Sequence, residues 1–330
     1  MRAEERAALG STAVRVTRLG FGAAPLGNLF EPLDDAVARA TVERAWELGV
    51  RLFDTAPVYG YGLAEERLRD VLPGRPRDEL VLSTKVGRLL RADVPADEAL
   101  AHLFKDHPAV NSVFDFSCDG VLRSVEESLE RLGLDRVDVL HLHDPDDHYE
   151  AALSGAYPAL DRLRSEGVIG AVGAGMTQVA MLARFAREAD FDCFLLAGRY
   201  TLLDHDGLAE LLPVCEERNV SLIVGGVYNT GILAGPTADA TFDYVQAPQE
   251  LIERARRLDA VCARHGVPLK AAAIQFPLGS PLVASVLIGC RSVAEIEENV
   301  RMYELPIPAE LWDELRAERL LADHVPVPRM

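Results

Sequence analysis

Short apolar runs of strand length alternate eight times with stretches of helical periodicity, and this repeat constrains the fold more than any other feature of the chain. The runs fall at residues 19–22, 50–54, 80–85, 137–143, 168–173, 191–197, 220–225 and 283–288. Helical patterns follow them at about 34–48 (Asp34 as N-cap), 63–72, 117–132, 150–166, from 177, 207–217, a stretch ending at 276, and 292–302. One strand with one helix cannot bury its own apolar faces. Eight such units in one chain predict a (β/α)8 TIM barrel rather than an open doubly wound sheet. An open dinucleotide-binding sheet would carry G-x-G-x-x-G after its first strand, and here the stretch is GFGAAPLGNL. A β-rich lead at 13–17 predicts a short N-terminal β-hairpin, and 309–320 an extra C-terminal helix. No break in composition divides the chain, so 1–330 reads as one α/β domain.

Barrels of this type carry their active sites on the loops at the C-terminal ends of the strands. Three runs end there in an ionisable residue: Asp54, Lys85 and His143. Tyr59 follows Asp54 in a loop punctuated by Pro57, Gly60 and Gly62. With a period of two, Val50, Leu52 and Asp54 share one face of their strand. Val81, Ser83 and Lys85 share a face of the next, and Val137, Val139, His141 and His143 a face of the fourth. If these faces point inward, the ionisable ends meet at the barrel mouth beneath Tyr59. A lysine beside a phenol favours phenolate, and a carboxylate beside the lysine holds it in place. Such a group could exchange a proton with a carbonyl or hydroxyl oxygen, with His143 orienting that oxygen. His141, one layer deeper, reads as a hydrogen-bonded barrel residue. Asp144, Asp146, Asp147 and His148 fit a solvated loop or hydrogen bonds to a sugar better than a metal site.

Composition narrows the partners. A net charge of −18 argues against nucleic acid and anionic membrane. No apolar stretch approaches the roughly 20 residues that span a bilayer, and MRAEERAALG has no apolar h-region. Five scattered cysteines, 118, 193, 215, 262 and 290, suit a reduced cytoplasm rather than a disulfide framework. The expectation is a cytoplasmic protein, monomer or small homo-oligomer, acting on a small molecule.

LGFGAAPLGN, FDTAPVYGYG, STKVG, VDVLHLHDP and IGCRSVAEIEENV together resemble the aldo-keto reductase family over nearly the whole chain. The resemblance implies NAD(P)-dependent hydride transfer with Asp54, Tyr59, Lys85 and His143 as the catalytic tetrad and Tyr59 as general acid/base. GVLRSVEESLERLGLDRVD, AGRYTLLD and GGVYNTGILAG resemble the family's sugar dehydrogenases. That likeness implies oxidation of an aldose of the L-fucose, D-arabinose or galactose type at its anomeric carbon to the lactone, with no metal. The alternatives are an NADPH-dependent aldehyde or ketone reductase and a cofactor-sensing regulatory subunit without turnover.

For the cofactor, NAD or NADP, the resemblance points to the loops after strands seven and eight: Gly226, Asn229, Gly231 and Leu233, then Arg291, Ser292, Glu295 and Asn299. Glu295 stands where NADP-preferring members carry an Arg. A carboxylate would repel a 2′-phosphate, which favours NAD, although Ser292-x-x-Glu295 is also a capping box and Arg291 could receive a phosphate. The family's usual nicotinamide contacts fall here at Gly175 and Met176 after strand five, at Ala197 and near Gly225. Val58 replaces a histidine common in the sugar branch. Long loops in compact domains are commonly functional, so Phe114, Asp115 and Tyr228 are candidate substrate-lid residues with Val58.

Overall fold

The computed structural model describes residues 1–95, 102–205 and 207–329. Its strands close into a parallel eight-stranded barrel. In chain order they are β1 (Leu19–Gly22), β2 (Leu52–Asp54), β3 (Val81–Val86), β4 (Val139–His143), β5 (Ala171–Met176), β6 (Cys193–Ala197), β7 (Ser221–Gly225) and β8 (Val283–Gly289). Each pairs with its sequence neighbour, and β8 closes onto β1. Helices following the strands pack outside. Asp34 caps the first helix, Asp35–Glu47, through Ala36 N at 2.8 Å. Ser117 caps Cys118–Leu132 through Gly120 N at 3.0 Å. These are the serine and aspartate caps that relieve orphan N–H groups at helix starts.

Two apolar layers result. The larger lies between strands and helices. The smaller fills the barrel and includes Leu52, Val81, Val139, Ala171, Cys193 and Ile223. The hairpin Arg6–Ala8/Arg15–Thr17 stops the barrel's N-terminal end by sending Leu9 and Val16 into that inner layer. Gly10 N donates to Ser221 Oγ at 2.8 Å, which ties the stopper to the start of β7.

Several boundaries differ from the sequence reading. Val50 and Val137 precede β2 and β4 and pack in the outer layer, because inward alternation begins only at Leu52 and Val139. The fifth strand lies three residues later than its apolar run, since Gly170 N bonds back to Asp138 O before ladder pairing begins. Gly175 and Met176 are therefore inside β5, and Met176 is buried in the outer core. The segment after β3 holds an antiparallel hairpin, Arg88–Arg91 with Asn111–Phe114. The loop after β7 holds a two-residue pair, Thr241–Phe242 with Val245–Gln246. Among the described residues, no helix is long and apolar enough to cross a membrane.

Candidate active site

Period-two alternation delivers Asp54, Ser83, Lys85, His141 and His143 to the inside of the barrel at its C-terminal end. Lys85 Nζ donates to Asp54 Oδ2 at 2.7 Å and to Thr55 O at 2.8 Å. Asp54 Oδ1 accepts from Ser83 Oγ at 2.9 Å. The lysine and aspartate side chains are 2% and 4% exposed, so the pair is shielded from solvent. Burial opposes the charge on Lys85, yet Asp54 drives the ammonium above its usual range, while burial pushes the Asp54 carboxyl up against the pull of Lys85.

Tyr59 reaches this pair because its loop is pinned from both sides. Gly27 and Gly60 meet backbone to backbone. A Cβ on Gly60, whose φ is 63°, would sit 2.5 Å from Gly27 O. Glycine is needed at that contact for both space and conformation. Buried Arg67 anchors the same region, donating to Leu26 O at 2.6 Å, Asn28 Oδ1 at 2.7 Å and Asp35 Oδ1 at 2.6 Å. Lys85 Nζ lies 4.6 Å from the Tyr59 ring centre, and the His143 ring stands edge-on to it at 6.0 Å. The structure thus brings Asp54, Tyr59, Lys85 and His143 together.

The electrostatics correct one expectation. Burial pushes the Tyr59 phenol up to about 12; Lys85 opposes this by charge and hydrogen bonding, and Asp54 adds to it. Desolvation of the phenolate outweighs the lysine. At neutral pH Tyr59 is a protonated donor. Burial, with Arg88 and Lys85, holds His143 well below the usual imidazole range, so it is neutral. His141 is neutral too, lowered to about 3 by burial and then Lys85. Among the described residues neither of its ring nitrogens has a hydrogen-bond partner, contrary to the reading of it as hydrogen-bonded. Gly173 opposite makes room for it, since a Cβ there would lie 2.2 Å from His141 Nδ1.

The remaining candidates scatter more widely. Val58, next to Tyr59 in the same loop, is buried. Phe114 is 38% exposed at the rim, with the Arg88 guanidinium 4.4 Å from its ring centre. Asp115 turns away to a helix start, where its Oδ1 accepts from Ser117 N at 3.0 Å and Oγ at 2.6 Å. Tyr228 donates to Asn299 Oδ1 at 2.7 Å, and Asn299 Nδ2 contacts Cys290 Sγ at 3.3 Å. That pair bridges the loop after β7 to the helix Val293–Glu304. The Leu233 side chain is wholly buried in the outer core, which leaves only its backbone near the loop.

Gly226, Asn229, Thr230 and Gly231 have φ of 65°, 45°, 57° and 121°, and these left-handed residues coil the loop after β7 tightly. Asn229 Nδ2 donates to Gly198 O at 2.9 Å, while its buried Oδ1 has no partner among the described residues. After β8, Ser292 Oγ accepts from Glu295 N at 3.2 Å, which is the serine half of the capping box, while Glu295 Oε2 reaches one residue further back and accepts from Arg291 N at 2.7 Å. The Arg291 guanidinium pairs with Glu31 at 2.9 Å.

Sequence reading missed the aromatic roof. Phe104 packs on Tyr59 at 6.3 Å and on Tyr61 at 6.3 Å. Its segment pairs with the loop after β1 through Phe30 N to Leu103 O at 2.7 Å and Lys105 N to Asn28 O at 3.0 Å. A lone aromatic in a polar segment carries no periodic signal, and only the cross-loop hydrogen bonds place it. Arg88 was missed for the same reason.

A model of the Aldo/keto reductase family matches residues 18–318. The chain is 45% identical over 320 residues to a D-threo-aldose 1-dehydrogenase from Pseudomonas sp, covering 95% of this chain and 97% of that protein. It is 42% identical over 341 residues to a pyridoxal 4-dehydrogenase from Microbacterium luteolum, covering 98% and 99%. Its fold resembles the holo form of an aldo-keto reductase from Bacillus halodurans at a TM-score of 0.74 and 26% identity, covering 98% of each chain.

Proposed function

The chain belongs to the aldo/keto reductase family, and on that premise we propose that its one barrel domain is an NAD(P)-dependent aldose 1-dehydrogenase. The observation that carries the reading is the Asp54–Lys85–Tyr59–His143 cluster at the barrel mouth. Likeness to a D-threo-aldose 1-dehydrogenase supports an aldose as substrate, converted at the anomeric carbon to its lactone. The nicotinamide cofactor supplies the hydride acceptor when bound. Tyr59 takes the anomeric hydroxyl proton, Lys85 stabilises the phenolate that must form first, Asp54 holds Lys85, and neutral His143 orients the sugar oxygen. Absorbance at 340 nm with NAD or NADP and L-fucose, D-arabinose or L-galactose tests this. No nucleotide reduction with any aldose overturns it.

Asn229 fits the cofactor, because its buried Oδ1 lacks a partner in a loop coiled by Gly226 and Gly231. The helix start at Ser292 and Arg291 would face the phosphates. We favour NAD. Arg291 is already engaged by Glu31, and Glu295 presents a carboxylate beside it. Replacing Glu295 by Arg should raise the ratio of kcat/KM for NADP over NAD about 10-fold, at about 1 kcal/mol of lost capping. An unchanged ratio would remove Glu295 from nucleotide selection.

The raised phenol pKa sets a pH signature. Oxidation needs phenolate, the minor form at neutral pH, so its rate should climb several-fold per pH unit between about pH 7 and 9. Reduction needs the protonated phenol and should stay flat over that range. A flat oxidation profile would show that Tyr59 is not the base. The same raised pKa favours a second reading, an NADPH-dependent aldehyde reductase in which Tyr59 acts as donor. A small-molecule substrate, free cysteines and an acidic surface support a cytoplasmic setting without nucleic acid or membrane partners.

A further inference from the structure

One charged pair at the barrel mouth lies outside the tetrad. Asp144 follows His143 directly and takes a left-handed backbone, φ 41°. Its Oδ2 lies 3.2 Å from Arg88 Nη2 and 3.6 Å from His143 Nε2. Arg88 is 9% exposed and comes from the hairpin after β3, with Phe114 stacked over its guanidinium. The His143 ring in turn stands edge-on to Tyr59 at 6.0 Å. A carboxylate and a guanidinium from two separate segments therefore meet beside the histidine that borders the Tyr59 ring.

We propose that Asp144, braced by Arg88, reads hydroxyl groups next to the reacting carbon and sets preference for polyhydroxylated over plain carbonyl substrates. A hydroxyl both donates and accepts. It can donate to an Asp144 oxygen and accept from Arg88 in one geometry. A substrate without it leaves a partly buried carboxylate short of a partner it was placed to meet, and such sites discriminate against the missing hydroxyl. The 37% exposure of the Asp144 side chain keeps one side open to a ligand. Burial, against the pull of Arg88, pushes its carboxyl up to about 6. The inference rests on the aldose reading for its substrate class.

The test compares reduction of glyceraldehyde with propanal by wild type and Asp144→Asn, alongside aldose oxidation. Asn keeps both the shape and the tolerance for a left-handed backbone. In wild type, kcat/KM should favour glyceraldehyde by at least about 10-fold. In Asp144→Asn the preference should collapse to within about 3-fold, through a higher KM for glyceraldehyde, the loss on glyceraldehyde exceeding any loss on propanal. A retained preference in Asp144→Asn, or equal loss on both aldehydes, overturns the proposal. If the switch is seen but no aldose is oxidised, the hydroxyl-reading pair stands and the aldose assignment fails. If an aldose is oxidised and the preference is unaltered by Asp144→Asn, the assignment stands and the pair fails.

Discussion

Replacing Tyr59 with Phe is expected to lower kcat on the order of 1000-fold in either direction while leaving NADH affinity within about a factor of two. Only one oxygen is removed. The ring contacts to Phe104 and His143 and the cation–ring contact to Lys85 all remain. The fold should therefore lose less than about 1 kcal/mol, and a changed thermal midpoint cannot account for lost turnover. The loss should appear equally in kcat and kcat/KM, since the hydroxyl acts on the transferred proton rather than on ground-state binding. Stopped-flow absorbance with fluorescence titration of NADH separates the two quantities. Turnover within about threefold of wild type would assign proton transfer to another group.

The second large effect is on stability. Lys85→Met should leave Asp54 buried with its charge uncompensated, and breaking such a pair costs about 3–5 kcal/mol. For a chain of this size that corresponds to a thermal midpoint lower by roughly 5–10 °C. Removing both charges should recover much of the loss, because Asp54→Asn with Lys85→Met no longer buries an unpaired ion. The double variant should nevertheless remain inactive, since nothing stabilises the Tyr59 phenolate. Scanning calorimetry on the wild type, Lys85→Met and the double variant decides this. A single variant as stable as wild type would mean that water or a shifted proton already satisfies Asp54. A double variant that regained activity would separate Lys85 from the chemistry.

Much of the site was legible because it lies on strands. Period two is a local property, and it sends Asp54, Lys85 and His143 to the inward faces of their strands. Gly27 and Gly60 could be recognised as loop glycines, but not as the contact that fixes Tyr59; two residues distant in sequence meet there only in the folded barrel. The loop residues were harder. Asp115 and Tyr228 were reasonable lid candidates by position, yet one turns to a helix start and the other bonds Asn299. Loop side chains follow the nearest unsatisfied partner, and no periodicity announces which that is.

The sequence alone determined the number and order of the βα units, the inward face of β2, β3 and β4, and the caps at Asp34 and Ser292, because each depends on neighbours a few residues away. Tertiary structure alone decided that Phe104 roofs Tyr59, that Arg88 meets Asp144, and that Tyr59 is held protonated rather than ionised. Those outcomes depend on burial. Desolvation is set by every chain segment that closes over a group, and at Tyr59 it outweighs the nearby lysine charge.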